Sequence, residues 1–230
     1  MRFVRVRLQA AGGLLPELAG FYGERLELPL LGAAADRVSC SIGETELEFV
    51  AAPGDPFYHF ALLVPGDRFS AAFEWGRSRA ELLPHLESGE LDFEFESWAA
   101  HACYFHDPAG NIVELIALAG VAETGALGPF GAQELVGLSE LALVGDIPAM
   151  AAALDAHLGL EVWDGSADGP GGLAFVGERA RTLILAPARR GWLPTRRPAE
   201  PHRVEALLAA ATAGEVALED SRYRIRATAG

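Results

Sequence analysis

The chain has 230 residues, half of them apolar and 22% charged, with 32 acidic residues against 18 basic ones and a net charge of −14. Every basic residue is an arginine. Schiff-base and phosphate-loop lysine chemistry are therefore excluded, and so acidic a surface argues against a nucleic-acid partner.

Two distant cysteines, Cys40 and Cys103, leave no disulfide framework and no thiolate zinc site, and point to a reducing compartment. No apolar run approaches the ~18 residues of a membrane span, and the N-terminus lacks the apolar core of a signal peptide. A cytoplasmic protein without membrane partners is expected.

The opening stretch FVRVRLQA (3–10) alternates apolar residues with Arg5 and Arg7, the pattern of a half-buried strand. Leu14, Leu18, Phe21, Tyr22 and Leu26 then recur at helical spacing behind Pro16, which is tolerated in a first turn. Two short strands follow, 38–42 and 45–50, turning at Gly43-Glu44. After the PGDP loop (53–56) the pattern restarts. A strand at 58–64 puts Tyr58, Phe60, Leu62 and Val64 on one face and His59, Ala61 and Leu63 on the other. A helix at 69–83 and strands at 91–96, 99–105 and 112–117 complete the second unit. One unit is too short to bury its own sheet face, so the repeat is the main architectural signal.

Residues 119–136, rich in Ala and Gly and without periodicity, read as a linker. The segment 137–163 repeats the opening strand and helix. Further strands are expected at 173–176, 182–186, 203–208 and 222–227, with the fourth unit eroded to a hairpin. The expected fold is α+β: tandem domains of paired βαβββ units forming curved half-barrel mixed sheets. The first would span 1–118 and a degenerate second 137–230.

FYGERLEL (21–28), YHFALLVP (58–65) and YFHDPAGNIVELIA (104–117) together resemble the vicinal oxygen chelate superfamily, the glyoxalase, bleomycin-resistance and extradiol-dioxygenase group. The resemblance is good over 1–118, moderate over 137–163 and weak beyond. It implies a cavity in which residues of the first, fourth, fifth and eighth strands hold a divalent metal (Fe, Mn, Zn or Ni). His59, Glu114 and Glu48 match three of those positions; the remaining first-strand position is Arg5, a permanent cation unable to ligate metal. The resemblance also makes Tyr104 a cavity-lining residue and a candidate catalytic group with Glu114. Arg5, Trp98 and Tyr104 are candidates for substrate contact.

Read on its own residues, Glu114 sits in a strand apolar on both faces, where a carboxylate needs a metal or an arginine such as Arg5. His59 is either a ligand or a hydrogen-bonded core residue. Glu48 also fits a solvated edge strand, and Tyr104 could simply fill the wall. His106 could reach the cavity mouth with His101 turned away, and Cys103 reads as a small buried residue. In the second half, Glu140 corresponds to Arg5, and His202 lies near the start of the strand corresponding to that of His59. Arginines 189, 190, 196 and 197 form a basic loop around Trp192.

Three functions fit: a metal-dependent enzyme of the glyoxalase or dioxygenase type acting on a small oxygenated molecule, a non-catalytic small-molecule binder, or a module whose site has closed. The partner is a small-molecule ligand in the first two, and the chain is either a monomer or a homodimer.

Overall fold

The computed structural model describes residues 1–168 and 172–230. Strand β1 (Arg2–Ala11) shows the expected alternation from Arg5 onward, with Val6, Leu8 and Ala10 buried and Arg5 exposed, while an irregularity between Phe3 and Arg5 lets Phe3 enter the core as well. A helical stretch over 12–25 follows, centred on α1 (Leu15–Ala19) with Pro16 in its first turn. Its last turn is widened, the Leu26 N–H reaching the Phe21 carbonyl at 2.9 Å. The exposed strand β2 (Leu30–Ala34), which periodicity does not reveal, precedes β3 (Arg37–Ile42) and β4 (Thr45–Ala52).

The second unit contains β5 (His59–Val64), α2 (Phe69–Arg79), β6 (Phe93–Phe95), β7 (Ala100–His106) and β8 (Ile112–Leu118). The third contains β9 (Gly137–Val144), α3 (Ile147–Leu158), β10 (Val162–Gly165), β11 (Ala174–Glu178) and β12 (Arg181–Ala186). Helix α3 carries its cap in the sequence: the Asp146 carboxylate accepts the Ala149 N–H at 3.1 Å, and Gly159 ends the helix at φ +63°. The fourth unit corrects the hairpin expectation. It has lost its helix but keeps three strands, β13 (Val204–Ala210), β14 (Gly214–Leu218) and β15 (Tyr223–Ala229), and β13 runs parallel to β15.

The strands form two sheets, ordered β14-β15-β13-β1-β4-β3-β2 and β10-β11-β12-β9-β5-β8-β7-β6. The fold is thus a mixed α+β arrangement of paired βαβββ units in curved mixed sheets. The pairing crosses the halves of the chain: unit one joins unit four, and unit two joins unit three. The boundaries at 118 and 137 mark the sequence repeat, and each sheet draws strands from both sides of them. Units two and three meet along the antiparallel pair β5–β9, and units one and four along β1–β13. One core fills the space between the sheets and helices, with Phe3, Phe49, Phe60, Leu62 and Leu141 among its members. A second, smaller core lines the opposite face of the β5–β9 sheet around Ala61, Tyr104, Ile116 and Trp192. No helix among the described residues is long and apolar enough to cross a membrane.

The turn DPAGN (107–111) determines the register of the second unit. The Asp107 carboxylate accepts the N–H groups of Ala109 and Asn111, both at 3.0 Å, and the Tyr22 hydroxyl at 2.8 Å. Gly110 takes φ +74°, a left-handed conformation that favours glycine. Asn111, fully buried, accepts the Tyr58 N–H at 2.8 Å and donates to Asp107 at 2.7 Å. These bonds hold β5 beside β8 with His59 opposite Ile112 and Ala61 opposite Glu114. Asn111→Ala leaves the Tyr58 N–H and Asp107 without those partners. It should cost about 2–3 kcal/mol, read as a lowered urea midpoint with an unchanged slope.

Candidate metal centre

Two strands flank β5, and each places a glutamate opposite the same residue. Ala61 pairs with Glu114 on β8 and with Glu140 on β9. Directly paired residues project from the same face, so both carboxylates converge above the small Ala61 side chain. His59 joins them from two positions earlier on β5. Donor atoms of His59, Glu114 and Glu140 all lie within 4.8 Å of one another, and all three residues are buried.

The histidine is oriented for ligation. Its Nδ1 donates to the Ile112 carbonyl at 3.1 Å, leaving Nε2 unprotonated and 3.5 Å from Glu114 Oε2. Burial pulls the His59 pKa down to about 4, so the ring is neutral and this contact is not an ion pair.

Burial also raises the carboxyls. Glu140 is pushed up to about 8, and Glu114 goes well above the usual range through burial and then the neighbouring Glu140 charge, with Tyr104 opposing. Glu140 Oε1 is buried without any hydrogen-bond partner. A neutral imidazole beside two desolvated carboxyls, one with an orphaned oxygen, is a donor set that fits a divalent first-row ion.

These groups floor a cavity of about 240 Å³ walled by Phe95, Trp98, Tyr104, Phe175 and Trp192. Trp192 stands over His59 with ring centroids 5.1 Å apart. Trp98 is fixed by donating its indole N–H to Asp164 at 2.6 Å. Tyr104 faces Glu114 across the β7–β8 pair. Burial and both glutamates raise its pKa well above normal, so the phenol keeps its proton. Pseudo-symmetry relating units two and three puts Ile184 of β12 where β8 has Glu114, and this wall offers no fourth donor.

Several expectations need correction. Glu48 is not in this cavity. It lies on β4 in the other sheet, buried and bonded to Arg7. Arg5 is exposed in a groove of that sheet and does not meet Glu114. The guanidinium that does sit between two glutamates is that of Arg7, which bonds Glu48 and also Glu205, the latter at 3.0 Å. Arg7 pairs with Glu48 on β4 and Glu205 on β13 in the same relation as Ala61 to Glu114 and Glu140. One sheet therefore fills the space between its glutamates with an arginine, and the other leaves it open.

His106 is exposed and turned to the Asn111 carbonyl, His101 pairs with Asp92, and His202 stacks near Phe57 and Tyr58. Cys103 is buried, as expected. Glu140 is the donor that sequence reasoning did not rank. Its signal was the one that marked Glu114: a lone carboxylate in a strand buried throughout.

No protein-family model matches the chain, and no curated protein matches it in sequence. Solved structures do match. A Bacillus subtilis protein provisionally named a dioxygenase aligns over 99% of this chain and 85% of its own, at 15% identity and a TM-score of 0.60. Glyoxalase I from Zea mays aligns over 90% of this chain and 74% of its own, at 16% identity and a TM-score of 0.55. The chain has the fold of the vicinal oxygen chelate superfamily.

The two sheets respond differently to substitution. Arg5→Ala should change stability by no more than about 0.5 kcal/mol. Arg7→Ala, which leaves Glu48 buried without its cation, should cost about 1–3 kcal/mol in urea melts.

A pH dependence also follows. A carboxyl whose folded pKa is raised contributes stability below its unfolded value, and that contribution is lost as pH rises through the folded value. For Glu140 the window runs from about 4.5 to about 8. His59, depressed from 6.5 to about 4, adds stability above 6.5 that is lost as pH falls through 4. Metal-free protein should therefore melt at progressively lower temperature between pH 6.5 and 8. Glu140→Gln should flatten that slope in EDTA-buffered melts.

Proposed function

We propose that the chain is a metal-dependent enzyme of the glyoxalase or dioxygenase type, acting on a small oxygenated molecule. The observation carrying this reading is the orphaned, buried Glu140 oxygen beside Glu114 and the unprotonated Nε2 of His59, at the floor of an aromatic-walled cavity. His59, Glu114 and Glu140 would hold the ion, and one nitrogen with two carboxylates suits Fe, Mn, Zn or Ni. Such an ion supplies Lewis acidity toward neighbouring oxygens of a substrate.

The remaining steps belong to the chain's own groups. Tyr104, kept protonated beside Glu114, is placed to donate to a developing substrate oxyanion. Ala61 is small, and Ile184 offers no donor where its counterpart Glu114 does, so a metal held by His59, Glu114 and Glu140 would have room for substrate oxygens beside it. Trp192 and Trp98 give the cavity apolar walls, and a ring seated against them would displace water and strengthen the polar contacts inside. Glu114 and Glu140 would hold the cation as carboxylates, so metal binding would release protons and tighten as pH rises.

Protein purified without added metal should contain close to one equivalent of a transition ion by elemental analysis. His59→Ala and Glu140→Gln should lose it. Tyr104→Phe should keep the metal while slowing turnover about 10²–10⁴-fold on a vicinal diol or α-keto thiohemiacetal substrate. Absence of metal affinity in the parent protein overturns the enzyme reading and leaves the aromatic cavity as a binding chamber, the role of a sequestering protein.

A further inference from the structure

The loop between β12 and β13 lines one side of the cavity through Arg190, Trp192 and Leu193, and its four arginines have different fates. Arg196 pairs with Glu87, and Arg197 donates to the Gly110 carbonyl at 3.0 Å while lying 3.4 Å over the Phe57 ring. Arg189 does not line the cavity, whereas Arg190 does. The Arg190 guanidinium makes one hydrogen bond, from Nη1 to the carbonyl of its neighbour Gly191 at 3.2 Å. Among the described residues no carboxylate lies within ion-pair distance of it. Burial lowers its pKa, the signature of a desolvated cation without a counter-ion. It is also the one basic side chain among the residues lining the cavity.

The loop holds this cation in position. Backbone bonds from Arg189 to Ala199, from Ala199 to Arg190 and from Trp192 to Arg197 tie its two limbs together at 2.7–2.9 Å. The same ladder sets Trp192 over His59. The rest of the cavity lining is largely aromatic or aliphatic, with Phe95, Phe175, Leu173 and Leu193 in it. The volume, about 240 Å³, is roughly that of eight waters in the liquid, the room of a single-ring molecule.

We propose that the cavity takes a small, flat, mostly apolar molecule bearing one carboxylate, with Arg190 as the anchor for that carboxylate. The assignment deepens the enzyme reading, on which it rests for the placement of the reacting end beside His59, Glu114 and Glu140. Arg190 is then a specificity-determining residue. Its fork binds a carboxylate through two parallel N–H bonds, which a neutral amide cannot reproduce. The aromatic walls accept the ring, and the anchored end fixes which substrate atoms reach the floor.

Benzoate and benzamide serve as probes because they differ in charge and hardly in shape. Binding is followed by tryptophan fluorescence and confirmed by saturation-transfer NMR, on the full chain kept metal-free so that no carboxylate can dock on an ion. Benzoate should bind the parent protein at least tenfold more tightly than benzamide. Arg190→Gln should remove that preference while leaving benzamide affinity within about twofold. Equal affinities in the parent protein, a preference that survives in Arg190→Gln, or binding of neither probe would each overturn the anchor. Calorimetric titration with Mn²⁺ of the parent and Arg190→Gln proteins keeps the two readings apart. Mn²⁺ binding alike to both supports a role for Arg190 confined to the ligand. No Mn²⁺ binding in the parent protein, together with a benzoate preference, sinks the metal reading and leaves the anchor standing.

Discussion

Two glutamates face one another across a single alanine, in a pocket where neither finds a fixed positive charge. Everything else about the β5–β9 sheet answers to that constraint. Two desolvated carboxyls cannot both ionise there without a cation, because the low-dielectric surroundings penalise each charge and each penalises the other. The Asp107–Asn111 turn sets the register that brings Glu114 opposite Ala61, and the antiparallel β5–β9 pairing brings in Glu140. The neutral His59 ring then completes a nitrogen-and-oxygen set that only a small, hard-to-borderline ion would satisfy on every side.

The other sheet shows the same problem resolved differently. Glu48 and Glu205 take the places of Glu114 and Glu140, and Arg7 takes the place of Ala61. Its guanidinium bonds both carboxylates within the chain, and Arg203 adds a second cation at Glu205. Side-chain volume at one strand position thus separates a covalently fixed cation from a space open to an exchangeable one. The groove around Arg7 is left with a mostly charged lining, whereas the cavity above Ala61 has mostly aromatic and aliphatic walls.

Much of this was legible in the residues. Alternation located the central strands because each buries a full face, and the Asp-Pro-Ala-Gly-Asn turn is a local motif whose bonds close within five residues. His59 and Glu114 stood out as polar groups in otherwise apolar strands, and the structure puts them together. Glu48 carried nearly the same sequence signal and lies on the other sheet. Periodicity reports which face a side chain occupies, not which strand lies alongside, and the partner is chosen by contacts distant in sequence. For the same reason the residues alone neither single out Glu140 as a donor nor show that Arg5 lies away from Glu114. The short edge strands β2, β10 and β14 left little pattern, since edge strands bury too little surface to impose one.

The joining of all four units in one chain has a consequence for symmetry. Had two copies of a half-length chain built the same pair of sheets about a two-fold axis, both grooves would carry identical residues. Each groove would then hold both Ala61 and Arg7, rather than one apiece. Covalent continuity releases the two halves from that identity, so one groove can hold a permanent internal ion pair while its counterpart keeps two glutamates on either side of an alanine. The price is stoichiometric: within the chain, the open groove has no equivalent twin with which to cooperate.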